Sequence, residues 1–547
     1  MNNVQTQSGS GLETLRPVLL DKRSDSSKAS RSVARAVSLH LEGKLEDALK
    51  ELHRATSKGE KSAEVYSAMG HIQCELGQFD GGVESYREFL RLEPKNATGW
   101  FNMAVCLENL GRWQEAAEKF KTASDLDATR LEAQLGMGIC HLHLNDAKAG
   151  LGAFEKCLSK APDNDHALFG KAVALQMQGQ LEPASDIYKA IIKRHPEAEE
   201  SLSNLIAIGM AKKDYEMVRE YSEKLLGIKP ESTAALEGLA AWASATDDVA
   251  LTAKFCTLLV AAVPDHFEGW FNLGLAHQKS GHRKQAADAY TESIRVRPQA
   301  SQAYTNLGIV RQEMGDTKGA KEAYEQAFKL NANATAALWN LSLLLEGAGE
   351  TEEAERAYST ILQKTPDADE ARFRLGYVKL QREDWRGAVE VFQNCLERRA
   401  KWPEAQMNLA LSYWKLADYK RAQTVYEQVL STDPKSLDAL RGLAALSLER
   451  SEIDQALEYH ARLVDLGERT PELLYNTGLL YQKSGQLDEA ARLYRDALSE
   501  NPEFPEALLN LGHVLKSMGQ EQEARICWSK ALEARPELAQ GYFETAK

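Results

Sequence analysis

The sequence predicts an all-α fold, an α-solenoid of about fifteen helix–turn–helix repeats of 34 residues each. Steps of 34 residues from Ala29 reach an equivalent position each time, without insertion or deletion, as far as Leu538. The eighth place of the repeat is small in fourteen copies, and the twenty-fourth place is aromatic in eleven. Ten of the fifteen prolines lie at place thirty-two, where proline ends a helix because it cannot donate the next backbone hydrogen bond.

The stretch Phe267–Ala300 shows how one repeat is built. A first amphipathic helix is predicted over 267–279, and a turn follows around Gly281 because glycine ends a helix at little cost. Ala286, Tyr290 and Ile294 then give a second helix an apolar stripe. Neither helix can bury its stripe alone, so a neighbouring copy must cover it.

This period, with its small, aromatic and proline places, identifies the chain as a member of the tetratricopeptide repeat (TPR) family. Fifteen repeats of 34 residues account for 510 of the 547 residues. The resemblance implies a right-handed superhelix in which the first helices line a concave groove. It also implies that stability is a sum of repeat and nearest-neighbour contributions.

Departures from the pattern divide the chain. Residues 1–28 are rich in Ser, Asn and Gln and are expected to be disordered, apart from an apolar patch in Leu12–Leu20. Repeats 1–5 occupy 29–198, and repeats 8–15 occupy 267–538. Repeats 6 and 7, over 199–266, are degenerate, and we predict a joint between the two halves there. Larger residues replace the small ones at Ile206, Val218 and Thr252, non-aromatic residues replace the ring at Ser222 and Cys256, and other residues replace the turn glycine at Lys213 and Asp247.

The C-terminal residues 539–547 begin a further first helix and stop after nine residues. Arrays of this kind usually finish with a polar capping helix. We expect a short frayed helix here. The alternative is that the exposed face of the last repeat meets another chain.

Composition excludes several classes of function. The net charge of −14 argues against nucleic-acid binding, which needs a basic footprint. No apolar run is long enough to insert in a membrane, and the start resembles no secretory signal, so a cytoplasmic location is expected. The seven cysteines include no C-x-x-C pair, and reduced, buried thiols are predicted for those in apolar helical stripes, namely Cys106, Cys140, Cys157, Cys256 and Cys395.

No catalytic motif is present, so no enzyme activity and no cofactor are predicted. The best metal candidate is Cys140-His141-Leu142-His143. Neighbouring residues of a helix point in different directions, so these side chains cannot converge on one ion. We therefore predict no metal site.

The sixth place of the first helix should face the groove, and it is asparagine in eight repeats. An amide both donates and accepts, so a row of amides can hold the backbone of an extended peptide. The row resembles the asparagine ladder in the repeat half of O-linked N-acetylglucosamine transferases. The alternative is that asparagine serves packing between helices. The residues are Asn102, Asn204, Asn272, Asn306, Asn340, Asn408, Asn476 and Asn510.

Aromatic residues at places five, nine and twelve give a second indication of a binding groove. Repeats 10 to 12 carry Trp339, Phe373, Tyr377 and Trp414 there, and exposed aromatic groups concentrate binding energy. Partial burial between helices is the alternative. Arg374 interrupts the ladder, and although it resembles one element of the basic clamp used by chaperone-tail-binding TPR grooves, the rest of that clamp is missing.

One further motif occurs twice. The sequence Trp100-Phe101-Asn102 in repeat 3 is repeated as Trp270-Phe271-Asn272 in repeat 8. We expect the tryptophans to lie in the core and the phenylalanines at the edge of the groove.

The sequence therefore predicts a non-enzymatic scaffold or adaptor that binds an extended segment of another protein in the concave groove. Two alternatives stay open. One is a structural platform that self-associates through its C-terminal repeat. The other is an accessory subunit that presents substrates to a separately encoded transferase.

Overall fold

The computed structural model describes residues 15–17 and 31–538. Within these residues the chain forms thirty α-helices, followed by a short 3-10 helix, and the helices are arranged as fifteen consecutive pairs. The pairs coincide with the fifteen predicted repeats, so the all-α repeat fold is confirmed. Contacts divide the chain into two compact units, Met1–Val296 and Arg297–Lys547.

The described part of the first unit contains repeats 1 to 8. Its helices are α1 (Arg31–Leu41), α2 (Leu45–Ser57), α3 (Ala63–Glu75), α4 (Phe79–Leu92), α5 (Ala97–Asn109), α6 (Trp113–Leu126), α7 (Leu131–His143), α8 (Ala147–Lys160), α9 (Asp165–Met177), α10 (Leu181–Arg194), α11 (Glu199–Lys212), α12 (Tyr215–Ile228), α13 (Thr233–Ala245), α14 (Val249–Ala262), α15 (Phe267–Lys279) and α16 (Arg283–Val296).

The described part of the second unit contains repeats 9 to 15. Its helices are α17 (Ser301–Glu313), α18 (Thr317–Leu330), α19 (Thr335–Gly347), α20 (Thr351–Lys364), α21 (Asp369–Gln381), α22 (Trp385–Arg398), α23 (Pro403–Lys415), α24 (Tyr419–Thr432), α25 (Leu437–Glu449), α26 (Ile453–Asp465), α27 (Pro471–Lys483), α28 (Leu487–Glu500), α29 (Pro505–Ser517), α30 (Glu521–Ala534) and the 3-10 helix Pro536–Leu538. None of the helices in the described residues is long and apolar enough to cross a membrane.

Small residues at place eight and rings at place twenty-four form the crossing of the two helices in a repeat. A Cβ added at Gly308 would lie 2.5 Å from the ring of Tyr324, which is fully buried. The ring therefore occupies the space that a side chain at place eight would need. A ring at place twenty-four also packs on the following repeat. For example, a Cβ added at Gly442 in repeat 13 would lie 2.6 Å from the ring of Tyr426 in repeat 12.

The turn between the two helices has the same backbone conformation in every repeat. Place fifteen has a positive φ throughout, including the six repeats in which it is not glycine. Gly281 shows the hydrogen bonds of the turn: its amide donates to the Gln278 carbonyl, and the His282 amide donates to the His277 carbonyl, at 3.0 and 2.9 Å. Lys213 and Asp247 keep this conformation, with φ of 57° and 56°, although the sequence identified them as departures.

Repeats 6 and 7 form complete helix pairs. Their larger residues are accommodated in the core, where Ile206, Val218 and Thr252 are all buried. The predicted joint over 199–266 stays a prediction. The expectations for residues 1–28 lie outside the described residues except at 15–17, and those for 539–547 lie entirely outside them.

Within each unit, the first helices of consecutive repeats also contact one another, as α3 does with α5 and α5 with α7, and as α17 does with α19 and α21 with α23. In the described part of the chain, no two second helices contact each other to the same extent. The first helices are therefore the more closely spaced layer of each unit. We call the side of this layer that carries places 5, 6, 9 and 12 the inner face.

The expectation of reduced cysteines is wrong for Cys106. It forms a disulfide with Cys74, and their Cα atoms are 6.5 Å apart. The two residues lie on the adjacent first helices α5 and α3, and Gly82 makes room for them, because a Cβ there would lie 2.9 Å from either sulfur. Cys140, Cys157, Cys256 and Cys395 are buried free thiols.

Candidate functional site

The eight predicted asparagines differ in their exposure to solvent. In the first unit, Asn102 is buried, Asn204 is half-buried and Asn272 is exposed. In the second unit, Asn476 is exposed, and the other four are half-buried, namely Asn306, Asn340, Asn408 and Asn510. Amides of both units are therefore within reach of solvent.

Several of these amides also contact tyrosine side chains. Asn510 Nδ2 donates to the Tyr475 hydroxyl at 2.8 Å. Burial raises the pKa of Tyr324, and a hydrogen bond with the Asn340 side chain opposes that rise. These contacts are what the packing alternative expects. They leave part of each amide exposed.

Trp339 and Asn340 share a recess on the second unit. Its volume is about 300 Å³, and Trp339 closes one side with its ring edge-on to Tyr358 at a centroid distance of 5.9 Å. The recess lies between the start of α19 and the end of α20. Its lining consists of Thr335, Ala336, Trp339, Asn340, Ile361, Thr365 and Ala368.

The other predicted aromatic residues have separate neighbours. Phe373 is half-buried and stacks on the buried Trp402 at a centroid distance of 5.0 Å, so for this residue the structure favours partial burial. The Trp414 indole donates to the Glu449 carboxylate. Tyr377 is 39% exposed and is the most accessible of the four.

Arg374 is held by carboxylates of its own unit. Its Nη1 donates to Glu346 Oε1 at 3.0 Å and its Nε to Glu370 Oε1 at 3.4 Å. Glu346 also accepts from the Tyr358 hydroxyl at 2.7 Å. The charge of Arg374 is therefore already paired, which differs from a guanidinium poised for a ligand carboxylate.

The structure contains a recurring hydrogen bond that the sequence analysis missed. A tyrosine hydroxyl at place twenty-four donates to a glutamine or glutamate at place twelve of the same repeat. A tyrosine twelve residues after Gln or Glu is the signal that could have revealed it. The pairs are Tyr188–Gln176, Tyr290–Gln278, Tyr324–Gln312, Tyr358–Glu346 and Tyr494–Gln482, at 2.7 to 3.1 Å.

Repeat 3 breaks this rule in an informative way. Place twelve is Glu108, but place twenty-four is Phe120, which has no hydroxyl. Both oxygens of Glu108 are buried without a side-chain hydrogen-bond partner, and burial raises the pKa of its carboxyl to about 8. Repeat 2 has the converse mismatch, since place twelve is Cys74, and the Tyr86 side chain instead has that of Asn102 in the next repeat as its hydrogen-bond partner.

Models of the tetratricopeptide repeat match the sequence over 67–130, 145–207, 267–300, 305–369, 343–403, 407–471 and 481–541, together more than half of the chain. The match at 267–300 coincides with repeat 8 as predicted from the sequence. The chain belongs to the tetratricopeptide repeat family.

Curated TPR-containing relatives match the chain over limited lengths. Protein O-mannosyl-transferase TMTC1 of Homo sapiens is 24% identical over 172 residues, which is 31% of this chain and 20% of that protein. DnaJ homolog subfamily C member 7 of Homo sapiens is 27% identical over 110 residues, 20% of this chain and 22% of that protein. Peptidyl-prolyl cis-trans isomerase FKBP4 of Bos taurus is 24% identical over 214 residues, 35% of this chain and 47% of that protein. The chain thus spans between a fifth and a half of these relatives.

Solved structures resemble most of this TPR chain at low identity. The complex of Naa15/Naa10 bound to HypK-THB covers 92% of this chain and 93% of its own, with 14% identity and a TM-score of 0.31. The APC/C hetero-tetramer Cut9-Hcn1 covers 84% of this chain and 98% of its own, with 13% identity and a TM-score of 0.32. Likenesses of this strength carry no argument about function.

One cluster of metal-ligand residue types occurs in the described residues. His40 on α1 lies with His71 and Glu75 on α3, and their donor atoms are within 4.8 Å of one another. Glu75 accepts from both imidazoles, at 2.8 and 3.1 Å. His71 Nδ1 is buried without a partner, whereas metal-bound imidazoles normally donate through the second nitrogen. Hydrogen bonding explains the cluster without an ion.

The side chains of the candidate metal-binding sequence Cys140–His143 lie apart from one another. Cys140 is buried, His141 lies 3.9 Å from Asp146, and His143 stacks on Trp113 at a centroid distance of 3.8 Å. These side chains therefore have three different surroundings.

Proposed function

We propose that this TPR chain is an interaction scaffold that binds an extended segment of another protein along the inner face of its first helices. The observation that carries the proposal is the recess of Trp339 and Asn340, where an amide and an indole meet in about 300 Å³ of open space. An extended segment can use both, since its backbone groups form hydrogen bonds with the amide and its apolar side chains contact the indole.

The asparagines supply the polar part of this surface. An amide offers a donor and an acceptor at once, so it can pair with a peptide group in either orientation. Asn306 and Asn408 lie at the same place of their repeats as Asn340, and all three are half-buried. Binding through backbone groups would tolerate many sequences.

The relatives support a role in protein interaction. The Hsp70-Hsp90 organizing protein of Triticum aestivum is named for the proteins it organises, and it is 25% identical over 112 residues, 19% of its length. We do not extend a chaperone-tail role to this chain, because Arg374 is paired with Glu346 and Glu370. Self-association and transferase assistance stay predictions.

The test is a triple substitution, Asn272→Ala/Asn306→Ala/Asn340→Ala. Its matched control replaces three exposed amides on the second helices of the same repeats, Gln285, Gln326 and Gln363, with alanine. A partner is first identified by affinity capture with the wild type, and its Kd is then measured by calorimetry. We expect the asparagine variant to lose at least tenfold in affinity and the control to match the wild type. Equal affinities for all three would refute the proposal.

A further inference from the structure

The inner face of repeat 3 is covered more completely than that of its counterparts. On α5, every residue from Phe101 to Glu108 is buried, which is more than two helical turns. A helix packed only between neighbouring repeats keeps part of its inner face in solvent. At place five, Phe169, Phe271 and Phe373 are half-buried, whereas Phe101 is 1% exposed.

The repeated Trp-Phe-Asn motif provides an internal comparison. The same three residues occupy the same places in repeats 3 and 8. Trp100 and Trp270 are both half-buried, and their indoles donate to the carbonyls of Pro94 and Pro264 at 2.9 and 2.8 Å. Next to them the resemblance ends, since Asn102 is 1% exposed and Asn272 is exposed. The motif itself cannot account for this difference, so the groups that cover repeat 3 must. Part of the cover is Tyr86 beside Asn102 and Arg130 over the Phe101 ring, 5.3 Å from its centroid, and a further covering element precedes the array.

Leu15 belongs to that covering element. Its side chain is partly buried and packs against two clusters of the core, one containing Phe101 on α5 and one containing Leu135 and Ile139 on α7. Leu15 therefore packs on the core of repeats 3 and 4, and its backbone lies beside Glu108 on the inner face, although it precedes the first helix of the array. Its neighbours in sequence, Arg16 and Pro17, are exposed and half-buried.

Glu108 marks the polar side of the same contact. The backbone amide of Leu15 faces its carboxylate and opposes the rise of its pKa, while neither oxygen has a full hydrogen bond. At the same place of other repeats, Gln176, Gln278 and Glu346 are half-buried. Glu108 thus combines a burial that its counterparts lack with an unused acceptor turned towards a peptide backbone.

We infer that the segment carrying Leu15 is a built-in ligand of the inner face of repeats 3 and 4, held there by the Leu15 side chain and the backbone contact with Glu108. This site takes an extended, leucine-bearing segment, and the chain's own residues 15–17 occupy it. The inference rests on the proposed function in one respect, because a segment of another protein must displace Leu15 to bind there.

Competition by a tethered segment has an expected size. A segment joined to its own site by a short linker has an effective concentration on the order of 1 mM. If the free segment binds with a Kd on the order of 100 μM, the tethered copy weakens binding of a free one roughly tenfold.

The test uses full-length protein and a fluorescein-labelled synthetic peptide of residues 8–24, with binding read by fluorescence anisotropy. The peptide should bind Leu15→Asp protein, whose own segment is expelled, at least tenfold more tightly than wild type. Arg16→Ala is the matched control, because it lowers the net charge by the same one unit at an exposed neighbour and should behave as wild type. A peptide that itself carries Leu15→Asp should bind none of the three proteins.

Other results would overturn the inference. Equal binding of the peptide to wild type and Leu15→Asp, or binding to neither, would show that the segment does not occupy the site. A wild type that sediments as a dimer, beside a monomeric Leu15→Asp protein, would assign the occupant to a second copy of the chain. None of these results depends on Asn272, Asn306 or Asn340, so this inference and the proposed function can fail independently of each other.

Discussion

Replacement of Glu108 by glutamine measures how completely the inner face of repeat 3 is closed to water. Glu108 is 1% exposed, and burial raises the pKa of its carboxyl from an ordinary value of 4.5 to about 8. The folded chain therefore holds this group in its neutral form at pH 7. Glutamine has nearly the shape of the neutral carboxyl and does not ionise, so the exchange removes the titration while keeping the packing.

A carboxyl whose pKa is higher in the folded state stabilises the fold fully below pH 4.5, and this contribution is lost as the pH rises to about 8. Within that window each pH unit is worth about 1.4 kcal/mol. Between pH 5 and pH 7 the wild type should lose up to about 3 kcal/mol of local stability relative to Glu108→Gln. Above pH 8 the difference between the two proteins should be constant.

The assay is hydrogen exchange of the amides of α5 and α6, corrected for the intrinsic pH dependence of exchange. Local opening is the appropriate quantity, because repeat arrays need not unfold in one step. In a Leu15→Asp background, where water reaches Glu108, the pH-dependent difference should shrink. A difference between wild type and Glu108→Gln that does not change from pH 5 to pH 8 would refute the burial argument.

Three further substitutions test the packing. Gly308→Ala should destabilise repeat 9 by about 1–3 kcal/mol, because the new methyl group would lie 2.5 Å from the ring of Tyr324. Gly152→Ala should instead stabilise repeat 4 by about 0.5–1 kcal/mol, since open space surrounds this helical position. Shifts of the same sign in urea melts would contradict one of the two expectations. Arg374→Ala should cost about 1–3 kcal/mol, because Glu346, whose side chain is 9% exposed, loses its cation. Adding Glu346→Gln should recover part of that loss, and a double variant less stable than Arg374→Ala would argue against it.

The period of 34 residues was sufficient to predict the helix pairs, because each repeat depends mainly on its immediate neighbours. The same dependence on neighbours explains why two residues that depart from the sequence pattern do not change the turn. Lys213 and Asp247 lack the conformational freedom of glycine, yet their repeats keep the left-handed turn. Contacts with the flanking helices impose the conformation at the cost of some backbone strain.

The candidate site was only partly predictable for a related reason. Place and residue type locate Asn340 and Trp339 on a first helix, but they cannot distinguish an amide that contacts Tyr324 from one that binds a ligand. The cover on repeat 3 was invisible to the periodicity, because it joins Leu15 to Glu108 from outside the repeats. The missing hydroxyl at Phe120 was a readable signal, although its meaning required the recurring tyrosine bond.

The central claim is that first helices, through their inner face, are the binding surface. Hydrogen exchange of the chain with and without an identified partner tests it most directly within the second unit. We predict that protection will appear on α17, α19, α21 and α23 and at the end of α20, which lines the recess, with the second helices α18, α22 and α24 unchanged. Protection confined to those second helices would contradict the account.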